Sequence, residues 1–294
     1  MQNAAVTVDD PGLAAVLEHL GVGAGDPLGH GGEAWVYALD DARVVRVVHP
    51  GGTVDSVTRR KQLVDELARA PLAFALPDVL EVGEVDGRVF AIERRLRGRS
   101  LLDALRTADG TARHTLIEAH LDAAAALGDL HLEPREGFGE LVTDNAITTS
   151  TWRDYLEPRV AANLAASLPE FAAIDPIELA APLPDTTDAS FVHLDAFTGN
   201  MLTDGTRITA VLDIGWSSIA GDRRLDPVSA AVYLASPAIT PVVTAGDIEV
   251  AMGWLRNARL DEYFEPMRRW LAGYWSFAFD DPNVLGFCRS VLLE

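Results

Sequence analysis

The sequence predicts an α+β protein of two lobes, in which a small antiparallel β lobe with one inserted helix precedes a larger, mainly helical lobe. Two observations predict this arrangement. Pairs of β-type segments separated by turn residues fill most of the chain up to Arg97, and segments with helical spacing of apolar residues dominate after it. At 294 residues and 48% hydrophobic content, the chain is long enough for two cores. We therefore expect an N-terminal domain at residues 1–97 and a C-terminal domain at residues 98–294.

In the first lobe, the predicted elements are a leading helix, a hairpin, the inserted helix and a second hairpin. Residues 12–20 have helical spacing, and a glycine-rich turn then leads into "WVYAL" and "RVVRVVHP", which predict two paired strands. The charged and amphipathic stretch at residues 55–69 predicts the inserted helix. The segment "PDVLEVGEVDGRVFAIERRL" predicts a second hairpin with its turn at Asp86-Gly87.

In the second lobe, apolar spacing predicts helices at four places. They are residues 115–131, 152–168, 247–255 and 263–279. Between the second and third of them, "NML" and "TAVLD" predict two short strands around an Asp-Gly turn, and a loop rich in polar residues precedes these strands.

The chain is strongly acidic, with a net charge of −20 at pH 7. This charge argues against a nucleic-acid groove or an anionic membrane surface, because both require clustered Lys and Arg. It suits a cationic partner, although an acidic surface can equally serve solubility. The N-terminal segment shows no signal-peptide pattern and no stretch approaches about 18 uninterrupted apolar residues, so we expect a cytoplasmic protein, as a monomer or homodimer.

The loop before the short strands carries a polar motif, His193-x-Asp195-x4-Asn200, and Asp213 follows at the end of the second strand. Asn200 and Asp213 offer the hard oxygen ligands that suit Mg²⁺ bound together with nucleotide phosphates. Asp195 is placed to accept a proton from a substrate hydroxyl. These groups are those that phosphoryl transfer needs, since positioning and charge neutralisation supply most of its catalysis.

The segments "HLDAFTGNML" and "VLDIGW" resemble the H-x-D-x4-N motif and downstream Asp of the aminoglycoside phosphotransferase-like kinases, the family that includes choline kinase-type enzymes. The resemblance implies the two-lobed protein-kinase-like fold. It also implies that Asp195 is the catalytic base, that Asn200 and Asp213 bind Mg²⁺, and that His193 has a structural role in the loop. Further along, "GDRRLDPV" resembles a family motif whose Asp, here Asp226, braces the catalytic loop.

The resemblance extends from about Leu28 to Tyr233 and implies a nucleotide-binding region in the first lobe. The expected phosphate-covering turn contains Gly29, Gly31 and Gly32. Arg46 lies where protein kinases have a lysine that binds phosphates, and arginine keeps the charge and can bind phosphate through two nitrogens. The acid expected to pair with Arg46 is Asp65 or Glu66, and we favour Glu66.

The catalytic motif departs from the family pattern H-G-D-L-H-P-G-N, because Leu194 and Phe197 replace its Gly and second His. This departure alters the acceptor or marks a pseudokinase. We expect His49, His114 and His120 to lie on the surface or to cap structure rather than to catalyse. The segment "DEYFE" at residues 261–265 places acids beside aromatic rings, and it is either a pocket for an amine-bearing substrate or a solvated face.

The function implied by the residues and the resemblance is phosphotransferase activity that uses ATP or GTP with Mg²⁺ and acts on an alcohol group. We expect the acceptor to be a hydroxyl-bearing, cationic small molecule such as an aminoglycoside or another antibiotic. The alternatives are a kinase of a metabolite (a sugar, an amino alcohol or a glycated amine) and a nucleotide-binding pseudokinase, because fold does not fix function.

Overall fold

The computed structural model describes residues 10–23, 25, 27–69, 71–143 and 146–293. The chain divides into two compact units, one of Met1–Asp65 with Leu76–Leu96 and one of Glu66–Ala75 with Arg97–Glu294. The α+β fold class is confirmed. The division differs in one respect from the single boundary expected after residue 97, because residues 66–75 group with the second unit.

The first unit is built on a five-stranded antiparallel sheet with strand order β1-β2-β3-β5-β4. The strands are β1 (Gly29–His30), β2 (Ala34–Ala38), β3 (Arg43–Val48), β4 (Val79–Val85) and β5 (Arg88–Arg94). Helix α1 (Pro11–His19) begins at Asp10, whose carboxylate accepts a hydrogen bond from the Leu13 amide. Helix α2 (Val54–Leu67) belongs to this unit up to Asp65.

The two faces of this sheet have separate apolar cores, and this explains the nearly continuous apolar sequence of β3. On one face, the α1 side chains Leu13 and Val16 join Val45 and Val47. The other face holds the cluster Val57, Val79, Val89 and Ala91, with Val57 supplied by α2. Because alternate residues of a strand point to opposite faces, and Arg46 pairs in register with Ala91, Arg46 lies on the α2 face.

The second unit is mainly helical. Its helices are α3 (Leu101–Thr107), α4 (Gly110–Leu127), α5 (Trp152–Ala165), α6 (Pro176–Ala180), α7 (Leu225–Ala235), α8 (Ala245–Ala258), α9 (Phe264–Trp275) and α10 (Pro282–Leu292). Helices α3, α6, α7 and α10 were not among the predicted helices, although α10 has a capping Asp281 and Pro282 in its first turn. Of the helices in the described ranges, none combines the length and apolar character that a membrane crossing requires.

Short antiparallel strands in the second unit form two small sheets, with orders β11-β10-β6 and β8-β7-β12-β9. These strands are β6 (Arg99–Ser100), β7 (Phe138–Glu140), β8 (Thr148–Thr149), β9 (Ser190–Val192), β10 (Met201–Thr203), β11 (Ile208–Val211) and β12 (Ile219–Gly221). Strands β9 and β10 bound the polar loop at residues 193–200, which we call the catalytic loop, and Asp213 follows β11. The strands thus fix both ends of the segment that carries the motif.

Candidate active site

A buried carboxylate at the start of α7 anchors the beginning of the catalytic loop. Asp226 accepts hydrogen bonds from the backbone amides of His193 (2.8 Å) and Leu194 (2.9 Å), and only 1% of its surface is exposed. Burial raises the pKa of Asp226 to about 6, opposed by the nearby His193 and by the two amide bonds. The carboxylate therefore remains ionised at neutral pH and stabilises two backbone groups that would otherwise be buried without partners.

The backbone carbonyls of the catalytic loop are also held by side chains. Four carbonyls in succession accept one such bond each: His193 from Ser217 (3.0 Å), Leu194 from Tyr233 (2.7 Å), Asp195 from Asn200 (3.0 Å) and Ala196 from His120 (2.8 Å). Because this stretch is neither helix nor strand, these side chains supply the partners that regular secondary structure would provide. The loop thus has a fixed backbone at the residue expected to act as base.

Both ring nitrogens of His193 contact backbone groups. Its Nε2 lies 2.8 Å from the Leu212 carbonyl oxygen, and its Nδ1 accepts a hydrogen bond of 3.2 Å from the Asp195 amide. These partners place a hydrogen on Nε2, because the Leu212 carbonyl oxygen can only accept. The buried ring therefore joins the loop to the end of β11, one residue before Asp213.

Asp195 and Asn200 are in direct contact. The Asn200 amide nitrogen donates to the Asp195 carbonyl oxygen (3.0 Å) and to Asp195 Oδ2 (2.9 Å). This pair of bonds fixes the side-chain torsions of Asn200 and the direction of the Asp195 carboxylate. Both residues are partly exposed, whereas Leu194 and Ala196 on either side of Asp195 are fully buried.

Asn200 and Asp213 together fit the ligand chemistry of Mg²⁺. Because the Asn200 nitrogen donates to Asp195, its amide oxygen is the atom left to ligate, and this oxygen has no hydrogen-bond partner among the described residues. The Asn200 carbonyl also accepts a bond of 2.8 Å from the Leu212 amide, which ties the Asn200 backbone to the residue before Asp213. No group of three or more His, Cys, Asp or Glu converges in the described ranges, so these two oxygens would be completed by water and nucleotide phosphates.

Two non-glycine residues at this site have left-handed backbone conformations. Leu194, directly before Asp195, has φ 63°, and Asp213 has φ 58°. Such a conformation costs about 1 kcal/mol or more for residues other than glycine, and it persists only where the surroundings enforce it. For Leu194, those surroundings are the Asp226 and Tyr233 hydrogen bonds and a fully buried side chain.

In the first unit, the glycine turn lies open to solvent between β1 and β2. Gly29, Gly31 and Gly32 are exposed, and a Cβ at any of them would meet no described atom within 4 Å. The Gly31 amide donates to the Ala34 carbonyl (3.1 Å), and His49 Nε2 contacts the Gly31 carbonyl oxygen (2.8 Å). The turn therefore has room for a ligand to approach its backbone.

Arg46 has an acidic partner different from the expected one. Its Nη2 lies 3.0 Å from Glu33 Oε2, at the end of the glycine turn. Glu66 instead accepts bonds from the Glu133 amide (2.5 Å) and from Arg135 Nη2 (2.8 Å) within the second unit. The other candidate acid, Asp65, pairs with Lys61 at 2.6 Å.

The α2 face of the first unit carries an ion pair between helix and sheet, but its charges are opposite to those of the expected pair, in which the sheet supplied Arg46 and the helix supplied the acid. Arg60 of α2 and Glu93 of β5 form a buried pair at 2.6 Å, so the helix supplies the cation and the sheet supplies the acid. A lone buried charge would be costly, and each of these side chains neutralises the other. The sequence signal for this pair was the Arg-Arg-Lys run at residues 59–61 of the predicted inserted helix.

His120 corrects one expectation about the histidines outside the motif. His49 and His114 are partly exposed, but His120 is completely buried and contacts the catalytic loop. A signal for this burial was present in the sequence, because His120 lies three and four residues from the apolar residues Ile117 and Leu116 on one helix face.

The "DEYFE" segment forms a short 3₁₀ turn, Asp261–Tyr263, before α9. The guanidinium of Arg224 lies over the Tyr263 ring, 5.1 Å from its centre, and Arg224 also pairs with the buried carboxylate of Asp222 at 2.5 Å. One face of this ring is thus covered by a cation of the chain itself. The pocket interpretation of this segment receives no support from that contact.

Comparison with known proteins gives a family match and a set of structural likenesses. The model of the phosphotransferase enzyme family matches residues 25–246. The hygromycin-B 4-O-kinase of Escherichia coli is 29% identical over 213 residues, which cover 68% of this chain and 59% of that relative. The match therefore spans about three fifths of the curated relative's length.

Two solved structures are similar over nearly their full lengths. The GDP complex of aminoglycoside 2'-phosphotransferase-IIIa superposes with a TM-score of 0.64 at 14% identity, covering 97% of this chain and 98% of that one. The ADP-bound aminoglycoside phosphotransferase APH(2'')-Ib superposes with a TM-score of 0.62 at 14% identity, covering 96% and 98%. At this level of identity, the likeness establishes the fold.

Proposed function

The chain belongs to the phosphotransferase enzyme family, as the sequence resemblance implied, and we propose that it transfers the γ-phosphoryl group of ATP or GTP to a hydroxyl group of an aminoglycoside-type antibiotic. The contact between Asp195 and Asn200 carries the proposal. It joins a partly exposed carboxylate, the group needed as base, to an amide whose oxygen is left to bind metal. Both lie on a loop whose backbone is anchored by buried side chains.

The proposed reaction is a direct transfer between two substrates. The acceptor hydroxyl oxygen forms a bond to the γ-phosphorus while the bond from that phosphorus to the β-phosphate oxygen breaks, which releases the nucleoside diphosphate. The acceptor proton passes to the Asp195 carboxylate. The hydrogen bond from Asn200 to Asp195 Oδ2 fixes the direction of the carboxylate that would accept this proton.

In this proposal, nucleotide-binding roles are assigned to residues of each unit taken by itself. In the second unit, Asn200 and Asp213 would hold Mg²⁺, which neutralises phosphate charge when bound. In the first unit, Arg46 and the backbone amides of the glycine turn would bind the phosphates. Support for a purine nucleotide comes from the ADP and GDP complexes of the two similar structures.

The proposed acceptor class rests on the relatives and on charge. The curated relative is a hygromycin-B kinase, and the similar structures are aminoglycoside phosphotransferases. Aminoglycosides are polycations that carry several hydroxyl groups, and the net charge of −20 favours their approach. The same features support binding of a cationic small molecule rather than of a nucleic acid.

The proposal is tested by incubating the protein with Mg²⁺, ATP or GTP and a panel of acceptors, with the products followed by mass spectrometry. The panel contains hygromycin B, gentamicin and kanamycin, together with sugars, amino alcohols and glycated amines. We expect phosphorylated antibiotic and a loss of kcat of about 10²- to 10⁴-fold in Asp195→Asn, which keeps the shape of the side chain but removes the base.

The matched control is Asp129→Asn, because this exposed acid forms only a surface ion pair with Arg223. It should retain wild-type turnover. Unchanged turnover in Asp195→Asn would show that this residue is not the base. Transfer only to metabolites would contradict the antibiotic acceptor, and nucleotide binding without transfer to any acceptor would identify a pseudokinase.

A further inference from the structure

Helix α4 carries one imidazole on an otherwise apolar buried face. His120 has no exposed surface, and its neighbours one turn away on each side are also buried. These neighbours are Leu116, Ile117, Ala123 and Ala124. An aliphatic side chain could pack on this face without burying any polar atom. A buried imidazole, in contrast, is stable only if a partner accepts or donates a hydrogen bond to it.

The partner of His120 is a backbone carbonyl of the catalytic loop. Its Nε2 lies 2.8 Å from the carbonyl oxygen of Ala196, which is itself fully buried. Burial lowers the pKa of His120 to about 4, so the ring is neutral at neutral pH and has a single N–H. Since a carbonyl can only accept, that hydrogen is on Nε2.

Within the described part of the chain, the contact with Ala196 is the only hydrogen bond of the His120 ring. Nδ1 of His120 is buried and has no hydrogen-bond partner among the described residues. The burial of a polar atom without a partner is unfavourable, and the hydrogen bond of Nε2 is the polar interaction that offsets this cost. A proton shuttle is excluded by the same geometry, because the one N–H is directed to a backbone carbonyl and the ring has no exposed surface.

Ala196 directly follows Asp195, and its carbonyl is the last in the anchored series of the catalytic loop. The other three donors, Ser217, Tyr233 and Asn200, come from residues after it in the chain, whereas His120 comes from 76 residues before. Beyond Ala196 the loop contains Gly199 and no proline, so its backbone has few intrinsic restraints.

We propose that His120 is a positioning residue for phosphoryl transfer, which holds the Ala196 carbonyl through Nε2–H and thereby fixes the peptide that follows the base Asp195. This inference deepens the proposed function and rests on it. With the bond in place, Asp195 is anchored on both sides, by Asp226 and Tyr233 before it and by His120 after it. Without the bond, the peptide after Asp195 can shift and carry the carboxylate with it, and small displacements of a reacting group reduce rates strongly.

The kinetic test compares two substitutions that separate the hydrogen bond from packing. His120→Leu fills the apolar site but has no donor, and His120→Gln places an amide nitrogen near the position of imidazole Nε2. We expect kcat to fall by about tenfold to a hundredfold in His120→Leu, with the KM for nucleotide changed by less than about twofold. We expect His120→Gln to recover most of that loss.

The control is Ile117→Val, which removes one methylene from the same buried helix face and touches no loop carbonyl. It should keep the wild-type kcat although its melting temperature is lower. If His120→Leu does not fold, His120→Met offers a more flexible apolar side chain for the same comparison. Equal kcat in wild-type protein and the apolar variant, or equal losses in the apolar and Gln variants, would overturn the proposal.

A second measurement does not depend on turnover. Hydrogen–deuterium exchange of the peptide that covers residues 193–200 should be faster in His120→Leu than in wild-type protein, and close to wild type in His120→Gln and Ile117→Val. If wild-type protein transfers phosphate to no acceptor, the proposed function fails while faster exchange still supports the anchoring of the loop. Unchanged exchange in the apolar variant contradicts the anchoring itself.

Discussion

The catalytic loop and the glycine turn are the two stretches to which the proposed function assigns contact with substrates, and they are built in opposite ways. In the loop, the carbonyls of residues 193–196 each accept a bond from a side chain, and Asp226 holds two of the amides. In the turn, Gly29, Gly31 and Gly32 are exposed and have no described neighbour that a Cβ would meet within 4 Å.

This difference follows from what each stretch has to do. A base must point in one direction when the acceptor arrives. The buried hydrogen-bond partners order the loop during folding, so its conformational entropy is already lost before the reaction begins. A turn that covers phosphates must instead leave its amides open and its backbone approachable. Substitutions in the loop should therefore change kcat and stability, whereas substitutions around the turn should change the KM for nucleotide.

The largest effect is expected for Asp226→Ala, which removes the carboxylate that holds the start of the catalytic loop. Two buried amides, those of His193 and Leu194, lose their acceptor. We expect the free energy of unfolding to fall by about 2–5 kcal/mol and kcat to fall by about a hundredfold. Urea unfolding and steady-state kinetics measure the two quantities.

Ser229→Ala on the same helix is the matched control for Asp226→Ala. Its hydroxyl is buried and donates to the Asp226 carbonyl, at 3.0 Å, without touching the loop. It should lose about 1 kcal/mol of stability and keep its kcat. If Asp226→Ala retains both stability and kcat, the loop does not depend on this anchor and the contrast with the glycine turn disappears.

An intermediate effect is expected at Arg46, beside the glycine turn. Arg46→Met keeps the length of an apolar stem on strand β3 and removes the guanidinium that pairs with Glu33. We expect the KM for nucleotide to rise by about tenfold to a hundredfold with a smaller change in kcat, because a contact to unreactive phosphates is uniform binding. The KM of Arg46→Lys for nucleotide should lie between those of wild-type protein and Arg46→Met, because lysine keeps the charge but not the planar fork of donors.

Glu33→Gln provides the control for the Arg46 prediction. The carboxylate of Glu33 and the nucleotide phosphates are both anions that the same guanidinium can bind, so neutralising Glu33 should leave the KM for nucleotide unchanged or lower it. A raised KM in Glu33→Gln would show that the ion pair itself positions Arg46. A KM for nucleotide that is unchanged in Arg46→Met would contradict the assignment of Arg46 to phosphate binding.

Sequence reasoning was most effective where the signal is local. The hairpins of the first unit, with their turn at Asp86-Gly87, and the short strands around the catalytic loop could be predicted because alternation and turn chemistry act within a few residues. The motif residues His193, Asp195 and Asn200 are close in sequence, and one loop brings them together. Local pattern thus predicts both the fold class and the centre of the candidate site.

The partners that hold the site could not be predicted, because they are distant in sequence. The phase of a helix does not decide which neighbour a charged residue meets, and Glu66 turned out to bind Glu133 and Arg135. His120 was expected to lie on the surface or to cap structure, and the apolar neighbours Leu116 and Ile117 indicate its burial but not its partner. Its role depends on a contact with a carbonyl 76 residues away, which only the tertiary structure reveals.

The last prediction concerns stability in acid, and it separates the contributions of two buried groups of the catalytic-loop region. Burial lowers the pKa of His120 from its ordinary value of 6.5 to about 4 and raises that of Asp226 from 3.8 to about 6. Between pH 6.5 and 4, the unfolded chain protonates His120 while the folded protein does not, so this group lowers the free energy of unfolding as the pH falls. Asp226 acts in the opposite direction between pH 6 and 3.8, because there the folded protein takes up the proton first.

The pH ranges in which His120 and Asp226 change the free energy of unfolding overlap, and their effects have opposite signs. Acid titration of the wild-type protein alone would therefore hide both effects, and the comparison with His120→Gln separates them. The variant keeps Asp226 and has no titrating group at position 120. Between pH 7.5 and 5.0, the stability of wild-type protein relative to this variant should fall by about 2 kcal/mol, measured by urea unfolding at both pH values. Ile117→Val keeps the imidazole and should follow the wild-type dependence. Parallel stability curves for wild-type protein and His120→Gln would mean that His120 takes up its proton in the folded state near its ordinary pKa. A ring that becomes charged in the folded protein is not the buried neutral donor that the proposed bond to the catalytic loop requires.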